Sequence, residues 1–430
     1  MNSTGLLRSA AVVALCVVAV PAGAQMANEA TEQTRLQANR AGDAQSSQLE
    51  QVGARAGAFR VLPRIEVGVL RDDNVYAADD NTRSDTVYRV APALLLTADT
   101  SRYVWNIRAD LERLEFDNFN DESRTNYGAG TNINTEVVRD TRLVGRLNYD
   151  VSHEDRGDPN SLQSNVEPVR FKTFDSGIGF DRTASRAIFG VDAAYKTLNY
   201  NDVRRNNNTI DNNDDRDREL TLIGGKLGYE FSPGYNLLVR AAYDTVNYDQ
   251  NRDDLGFDRD SKGFRLTGGV GFELTRLLTG DIFAGYISRN YDDARFETIN
   301  EPTFGASLTW SPNELTAVRI SADRTIEETV FAGYNGFVNT TAAVRVEHEL
   351  TRQLVLNGGV RYAKNKYVLG RGSTAARRDD DNYGANIGLR YSLNRLLYAG
   401  ASYEYNSRNS NVADTDFDRN KFLLTLGAQF

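Results

Sequence analysis

The sequence predicts an all-β protein, a transmembrane antiparallel up-and-down β-barrel of eighteen strands with both termini on the periplasmic side. Three observations predict it. Long segments alternate apolar and polar residues with period 2, tight turns alternate with long polar loops, and the chain ends on KFLLTLGAQF, an apolar row closed by Phe430.

The N-terminus sets the compartment. MNSTGLLRSAAVVALCVVAVPAGAQ carries one charge, Arg8, then an apolar run from Ala10 to Val20 and the small triplet Ala22, Gly23, Ala24. This reads as a secretory signal peptide over residues 1–24, too short to span a bilayer. Cys16 lies inside that run and is the only cysteine, so the mature chain has no disulfide, thiol nucleophile or thiolate metal site. Losing Arg8 with the signal leaves 49 basic against 59 acidic residues, a net charge of −10. An acidic exported chain is not a nucleic-acid binder. Residues 25–58, rich in Gln, Ala and Glu, predict a flexible periplasmic extension, and residues 59–430 the barrel in the outer membrane.

The strands carry the barrel signal. In LYAGASYEYN, Leu397, Ala399, Ala401, Tyr403 and Tyr405 point one way and Gly400, Ser402, Glu404 and Asn406 the other. RLVGRLNYDVSH at 142–153, VWNIRADLE at 104–112 and FRLTGGVGFEL at 264–274 repeat the pattern. A soluble sandwich would hide the apolar face, but its strands are usually shorter, about five or six residues. Here alternation runs for roughly ten residues or more, the length a tilted membrane strand needs. A β-propeller is the weaker alternative, because each repeat of the chain offers two long one-sided strands rather than four short ones.

The connections supply the count. Tight turns fall at 99–102, 138–141, 181–185, 232–235, 274–278, 311–314, 350–354 and 393–397, with long Asp-, Asn- and Arg-rich loops between them. With a first strand near 62–74 this makes eighteen strands. Sixteen would result if the first pair, which carries Pro63 and Pro92, dropped out, since proline removes a ladder donor.

On this reading the inner face carries Arg89, Arg108, Asp110, Glu112, Arg142, Arg146, Asp150, Arg240, Asp244, Arg319, Asp323, Arg345, Glu347, Arg361, Arg390 and Glu404. Mixed charge there suits hydrated cargo; equally, such residues can pair across strands and brace the wall. The outward row Phe422, Leu424, Leu426 and Phe430 resembles the C-terminal insertion signal that outer-membrane proteins hand to the barrel-assembly machinery. Outer-membrane lipid is the partner of the apolar face. No cofactor is expected. Asp72 with Asp73, Asp79 with Asp80, Asp214 with Asp215, and Asp379 to Asp381 offer oxygens of the kind calcium prefers, yet none has an EF-hand spacing, so solvated loops and no metal site are expected. His153 in SHEDR sits at a rim beside Glu154 and Asp155, the only position from which a hydrolase could be built; His348 falls at the opposite end of the wall. A non-enzymatic role is expected.

The start of the wall, LPRIEVGVLRDDNVYAADDNTRSDTVYRVAPALLL at 62–96, with its Asp-Asp-Asn-Val-Tyr and its Val-Ala-Pro-Ala-Leu, resembles the opening of the second putative β-barrel porin family. The likeness, with the hairpin repeats and Phe430, covers roughly residues 60–430. Members often belong to exopolysaccharide or capsule gene clusters. The resemblance therefore implies a passive aqueous path for exported polymer, with periplasmic polysaccharide-export components as partners. A general diffusion porin for small polar solutes comes next; it would carry a constriction loop folded inward, for which the loop at 201–218 is the candidate. A rim hydrolase using His153 is third.

Overall fold

The computed structural model describes residues 53–430 except 276 and 330. The expected signal peptide, Cys16 and most of the extension lie outside them. Eighteen long strands make the wall: β1 (Phe59–Asp72), β2 (Asp85–Asp99), β3 (Tyr103–Phe116), β4 (Arg124–Val138), β5 (Thr141–His153), β6 (Arg170–Ala184), β7 (Ala187–Tyr200), β8 (Arg218–Ser232), β9 (Tyr235–Tyr248), β10 (Ser261–Thr275), β11 (Leu278–Tyr291), β12 (Ile299–Asn313), β13 (Thr316–Glu328), β14 (Tyr334–Thr351), β15 (Leu354–Leu369), β16 (Asp379–Ser392), β17 (Leu397–Ser410) and β18 (Phe417–Gln429). Each pairs antiparallel with the next, and β18 closes on β1 from Arg64↔Gln429 to Asp72↔Lys421. Closure removes the free edge that hydrocarbon penalises. A short piece, Ala54–Ala56, folds back on the start of β1.

Both early prolines are accommodated inside the wall. Pro63 pairs with Leu94 and Pro92 with Ile65, while the β2–β3 ladder is interrupted at Ala91 and Pro92, where the missing donor would have fallen. The eighteen-strand count therefore stands over sixteen. Tight turns do alternate with longer loops along the whole wall.

The apolar alternates stand on the outside. Ile223, Leu227, Val191, Val360 and Leu426 are all about three-fifths exposed, a cost in water that acyl chains remove. Exposed aromatics collect toward both ends, Phe189, Phe231, Trp310, Tyr391 and Phe430 near the short turns and Tyr88, Tyr127, Tyr243, Phe264, Tyr383 and Tyr403 toward the long loops. These are the two girdles of a membrane barrel.

A longer opening of the ladder lies at the long-loop end of β12 and β13. β12 and β13 pair only from Gly305↔Asp323 down to Asn313↔Thr316. Above that, Ile299–Phe304 has a partner only in β11 and Arg324–Glu328 only in β14. Strand parity shows where the freed ends go. Ile326 and Val338 share the face of the exposed Ile320 and Val346, yet Val338 is only 2% exposed and packs with Tyr291 and Ile299. Tyr291 and Ile299 lie opposite the exposed Tyr286 and Phe304, so they belong to the inner face. The inner face of β11–β12 thus covers the outer face of the β13–β14 tip, and that tip is drawn into the barrel. Arg324 Nη2 meets Glu301 Oε2 at 2.6 Å, Thr303 Oγ1 donates to the Arg324 carbonyl at 2.7 Å, and Arg289 Nε approaches Glu328 Oε1 at 3.5 Å. Pro302 falls on the stretch of β12 that has no β13 partner, where its missing N–H costs no ladder bond.

Candidate functional site: a lumen crossed by residues 154–169

The barrel interior is built from the residues that alternate with the outer apolar row. All sixteen charged residues assigned from sequence to the inner face are offset by an odd number from an exposed apolar neighbour in their own strand. Many meet opposite charge across strands. Arg89 donates to Glu112 at 2.7 Å and to Glu66 at 2.8 Å, and Tyr398 hydroxyl donates to the same Glu66 at 2.6 Å, joining β1, β2, β3 and β17. Arg108 meets Asp110 at 2.6 Å and Asp150 at 2.7 Å, Arg146 meets Asp175 at 2.7 Å, and Lys226 meets Asp181 at 2.7 Å. Asp244 accepts from Arg289 at 2.5 Å, Asp323 lies 3.9 Å from Arg265, Arg390 donates to Gln429 at 2.7 Å, and Glu404 accepts from Asn406 at 2.5 Å. Arg142, Arg240, Arg319, Arg345, Glu347 and Arg361 share the same face.

The β5–β6 connection, residues 154–169, does not stay at the rim. Its anchors lie well round the wall from β5, on β18 and β17 beyond the β1–β18 closure and on the β13–β14 tip opposite. Asp155 takes two bonds from Arg419 Nη1 on β18, at 2.9 and 3.1 Å, and one from Lys421 Nζ at 3.5 Å. The Gly157 carbonyl accepts from Arg408 Nη2 on β17. Gly157 is needed at this approach, because a Cβ there would sit 2.8 Å from the Phe417 ring. Asn160 Oδ1 then accepts from Thr329 Oγ1 at 2.8 Å, so the segment touches the drawn-in β13–β14 tip. Gln163 Nε2 donates to the Ala77 carbonyl at 2.8 Å, and Arg156 binds Glu122 behind the segment, with both side chains buried. The chain crosses the lumen and is tied on several sides.

Charge placement fits the crossing. Arg419 also grips Asp72 through Nη2 and Nε, at 2.6 and 3.0 Å, so one buried guanidinium serves the β1–β18 closure and the crossing segment together. Burial alone would raise the Asp155 carboxyl, but Arg419 and then Lys421 outweigh it and hold it far below the ordinary range. Asp158 is the opposite case. Burial, then the charges of Asp155 and Glu154, push it up to about 7, against weaker opposing help from its bond to the Asp155 N–H and from Arg408.

The loop proposed from sequence as the inward one, 201–218, is corrected by this arrangement. Val203–Arg204 pairs with Ile210–Asp211 in a small hairpin, and Arg216 binds Glu154 with both side chains buried. It packs beside the root of the crossing segment, joined by the Asn165↔Arg205 bridge and by Asn165 Nδ2 to Asp211 at 3.0 Å. Composition could not separate two loops that are both rich in Asp, Asn and Arg.

The remaining assignments are local. His153 Nδ1 meets Asn126 Oδ1 at 2.9 Å, and the nearby charges that act on the ring are Arg124 and Arg170 rather than an acid–nucleophile pair. His348 meets Thr316 Oγ1 at the short-turn end. Among the described residues no group of three His, Cys, Asp or Glu is placed to hold a metal; Asp72 is taken by Arg419, Asp73 by Asn420, Asp380 by Arg378 and Asp381 by Tyr362. The Asp-Asp-Asn-Val-Tyr stretch is a clasp whose partners sequence reasoning missed. Asn74 Nδ2 donates to the Asp418 carbonyl at 2.9 Å and to that of Ala78 at 2.8 Å, sewing β1 to β18 at the mouth. Phe422, Leu424, Leu426 and Phe430 lie on the outer surface, and the Phe430 N–H donates to the Pro63 carbonyl at 3.2 Å.

Solved barrels with a similar outline include the siderophore receptor PirA from Pseudomonas aeruginosa, at 9% identity and a TM-score of 0.43, covering 88% of this chain and 82% of that one. Others are OpdL from P. aeruginosa, at 12% identity and 0.42, covering 87% and 100%, and OpdK with vanillate from the same organism, at 12% and 0.38, covering 86% and 99%. No curated protein matches the chain in sequence. The profile of the family described as putative beta-barrel porin 2 matches residues 47–430, the whole barrel and the residues just before it, and the chain belongs to that family of outer-membrane porins.

Proposed function

We propose that this porin is a passive, water-filled channel for small hydrated solutes, with the long loops outside, the short turns and both termini in the periplasm, and residues 154–169 narrowing the path. The observation that carries the reading is the crossing segment, anchored to β17, β18 and the β13–β14 tip. A segment lying across the lumen limits what passes by size while leaving polar walls for water and ions. The ion-paired inner face supports this use, because paired charges favour hydrated over oily cargo. No step of chemistry is needed, and the His153 environment offers none.

Export of exopolysaccharide or capsule polymer, with periplasmic export components as partners, is the second reading. It is favoured by the way the segment is held to β17 and β18, by side-chain hydrogen bonds and ion pairs rather than by strand pairing, so that it can leave the lumen. Purified protein in a planar bilayer tests the first reading: discrete ohmic steps and liposome swelling with small sugars support it. An inert bilayer, even after residues 157–166 are replaced by a Gly/Ser linker, would sink it. A deletion strain that secretes normal amounts of polymer would remove the second.

A further inference from the structure

The outer surface gathers positive charge at the short-turn end of β4 to β7, where Arg139, Arg182 and Arg186 are all exposed. Arg182 lies within β6, opposite the exposed Phe189 of β7 and two residues beyond the exposed Phe180, so its side chain leaves from the lipid-facing row. On its other side Arg182 pairs with Thr141, and the Thr183 N–H donates to the Asp140 carbonyl at 2.9 Å. The turn that carries Arg139 is thereby held against the end of β6, and Arg186 occupies the β6–β7 turn beside it. The nearby acids are turned elsewhere. Asp181 meets Lys226 at 2.7 Å in the lumen, Glu136 lies on the inner row opposite Arg142, and Glu230 accepts from the Gly234 N–H at 3.2 Å. Arg182 and Arg186 are left without an ion pair among the described residues, and Arg139 has only Asp140 at 3.7 Å, with both side chains mostly in solvent.

An apolar track runs from these arginines toward the middle of the wall. Phe180 stands opposite Val191 and Ile178 opposite Ala193, and Phe189, Phe180, Val191 and Ile178 are two-fifths to three-fifths exposed. Val137 and Val138 extend it beside Arg139. Such a surface is costly in water and fits acyl chains, while a guanidinium on the same row is tolerated where it reaches the headgroup layer. The long-loop end treats its outward cations differently. There Arg113 meets Glu115, Lys262 meets Asp292 at 3.1 Å, Lys364 meets Asp381 at 3.4 Å, and Arg71 and Arg170 donate to hydroxyls. Guanidinium forks match phosphate in shape and charge. We propose that Arg139, Arg182 and Arg186 bind the phosphate of an anionic glycerophospholipid whose acyl chains lie along Phe189, Phe180, Val191 and Ile178. Three guanidiniums face one carboxylate, so the surface favours a lipid of net negative charge over a zwitterionic one. The proposal takes from the reading above only the orientation, which puts these turns in the inner leaflet, and it stands whether or not the barrel conducts.

The test uses the full-length mature protein in detergent, with phosphatidylglycerol and phosphatidylcholine of matched acyl chains as probes and native mass spectrometry to count the lipids retained. The wild type retains phosphatidylglycerol in preference to phosphatidylcholine. In Arg182→Gln the phosphatidylglycerol concentration needed rises about tenfold, as expected when one charge-assisted hydrogen bond is lost. Arg182→Lys recovers part of the effect, and combining Arg139→Gln, Arg182→Gln and Arg186→Gln erases the preference. Lys366→Gln, exposed at the long-loop end, changes nothing. Inorganic phosphate does not displace the lipid, because it lacks the chains that the apolar track holds. Equal retention of the two lipids by the wild type, or a preference in Arg182→Gln as strong as that of the wild type, overturns the proposal. Displacement by inorganic phosphate overturns it as a lipid site. Lipopolysaccharide held more tightly than phosphatidylglycerol through the same arginines overturns it too, and reverses the orientation. Heat-modifiable gel migration confirms that each variant is a folded barrel.

Discussion

Replacing Asp155 by Asn weakens one anchor of the crossing segment and leaves the others in place. The substitution removes the charge that Arg419 and Lys421 grip, at 2.9 and 3.5 Å, but leaves Arg419 with its bonds to Asp72 at 2.6 and 3.0 Å, so the β1–β18 closure keeps its buried pair. Asp155 is 28% exposed and Arg419 only 3%, which places the interaction between a screened surface pair and a fully buried one. Charge-assisted hydrogen bonds of this kind contribute about 1.5–3 kcal/mol. The ratio of segment-out to segment-in states should therefore rise by about ten- to a hundredfold, since each 1.4 kcal/mol is roughly a factor of ten. Single-channel recording reads this directly as the fraction of time spent at the higher conductance. An Asp155→Asn channel with the wild-type conductance and the wild-type open fraction would refute the idea that this pair holds the segment across the lumen.

The pH response follows from Asp158. Its carboxyl is raised from 3.8 to about 7 by burial and by Asp155 and Glu154, so the segment-in state holds a proton that the freed segment releases. A raised carboxyl favours the segment-in state fully below the free value near 3.8, and that advantage is lost as pH climbs toward 7. Conductance should rise between about pH 4 and 7 and level off above, and Asp158→Asn should flatten the response; an unchanged slope in the variant would remove Asp158 as its origin. Val338→Asp puts a charge among Tyr291, Ile299 and Phe296 without a partner, so the β13–β14 tip should leave the lumen. Trypsin cleavage near Arg324 in folded protein would then appear, and continued resistance would argue against the drawn-in tip. Deleting Phe430 removes an exposed aromatic and the N–H bond to Pro63. The expected result is less heat-modifiable barrel in the outer membrane at equal expression; unchanged assembly would show that the terminal aromatic is dispensable.

Much of the wall was legible because a strand writes itself locally. Leu397 to Asn406 shows the apolar outer row and the polar inner row without reference to any other strand, and the turn at 393–396 announces the reversal. Eighteen such segments, an even count and a terminal aromatic imply closure, since hydrocarbon tolerates no free edge. Which loop enters the lumen was not legible. Loops 154–169 and 201–217 have the same polar composition, and the bonds that choose between them join Asp155 to Arg419 and Asn160 to Thr329, partners brought together only when the sheet curls shut. The inward turn of β13–β14 was hidden for the same reason: Pro302 allows the ladder to open there, but the cover supplied by Tyr291 and Ile299 comes from neighbouring strands. Alternation along the chain determined the barrel and its two faces, because side-chain direction in a strand is a local property. Closure decided the contents of the lumen, because the charges and rings that bind there lie far apart in sequence and meet only across a finished wall.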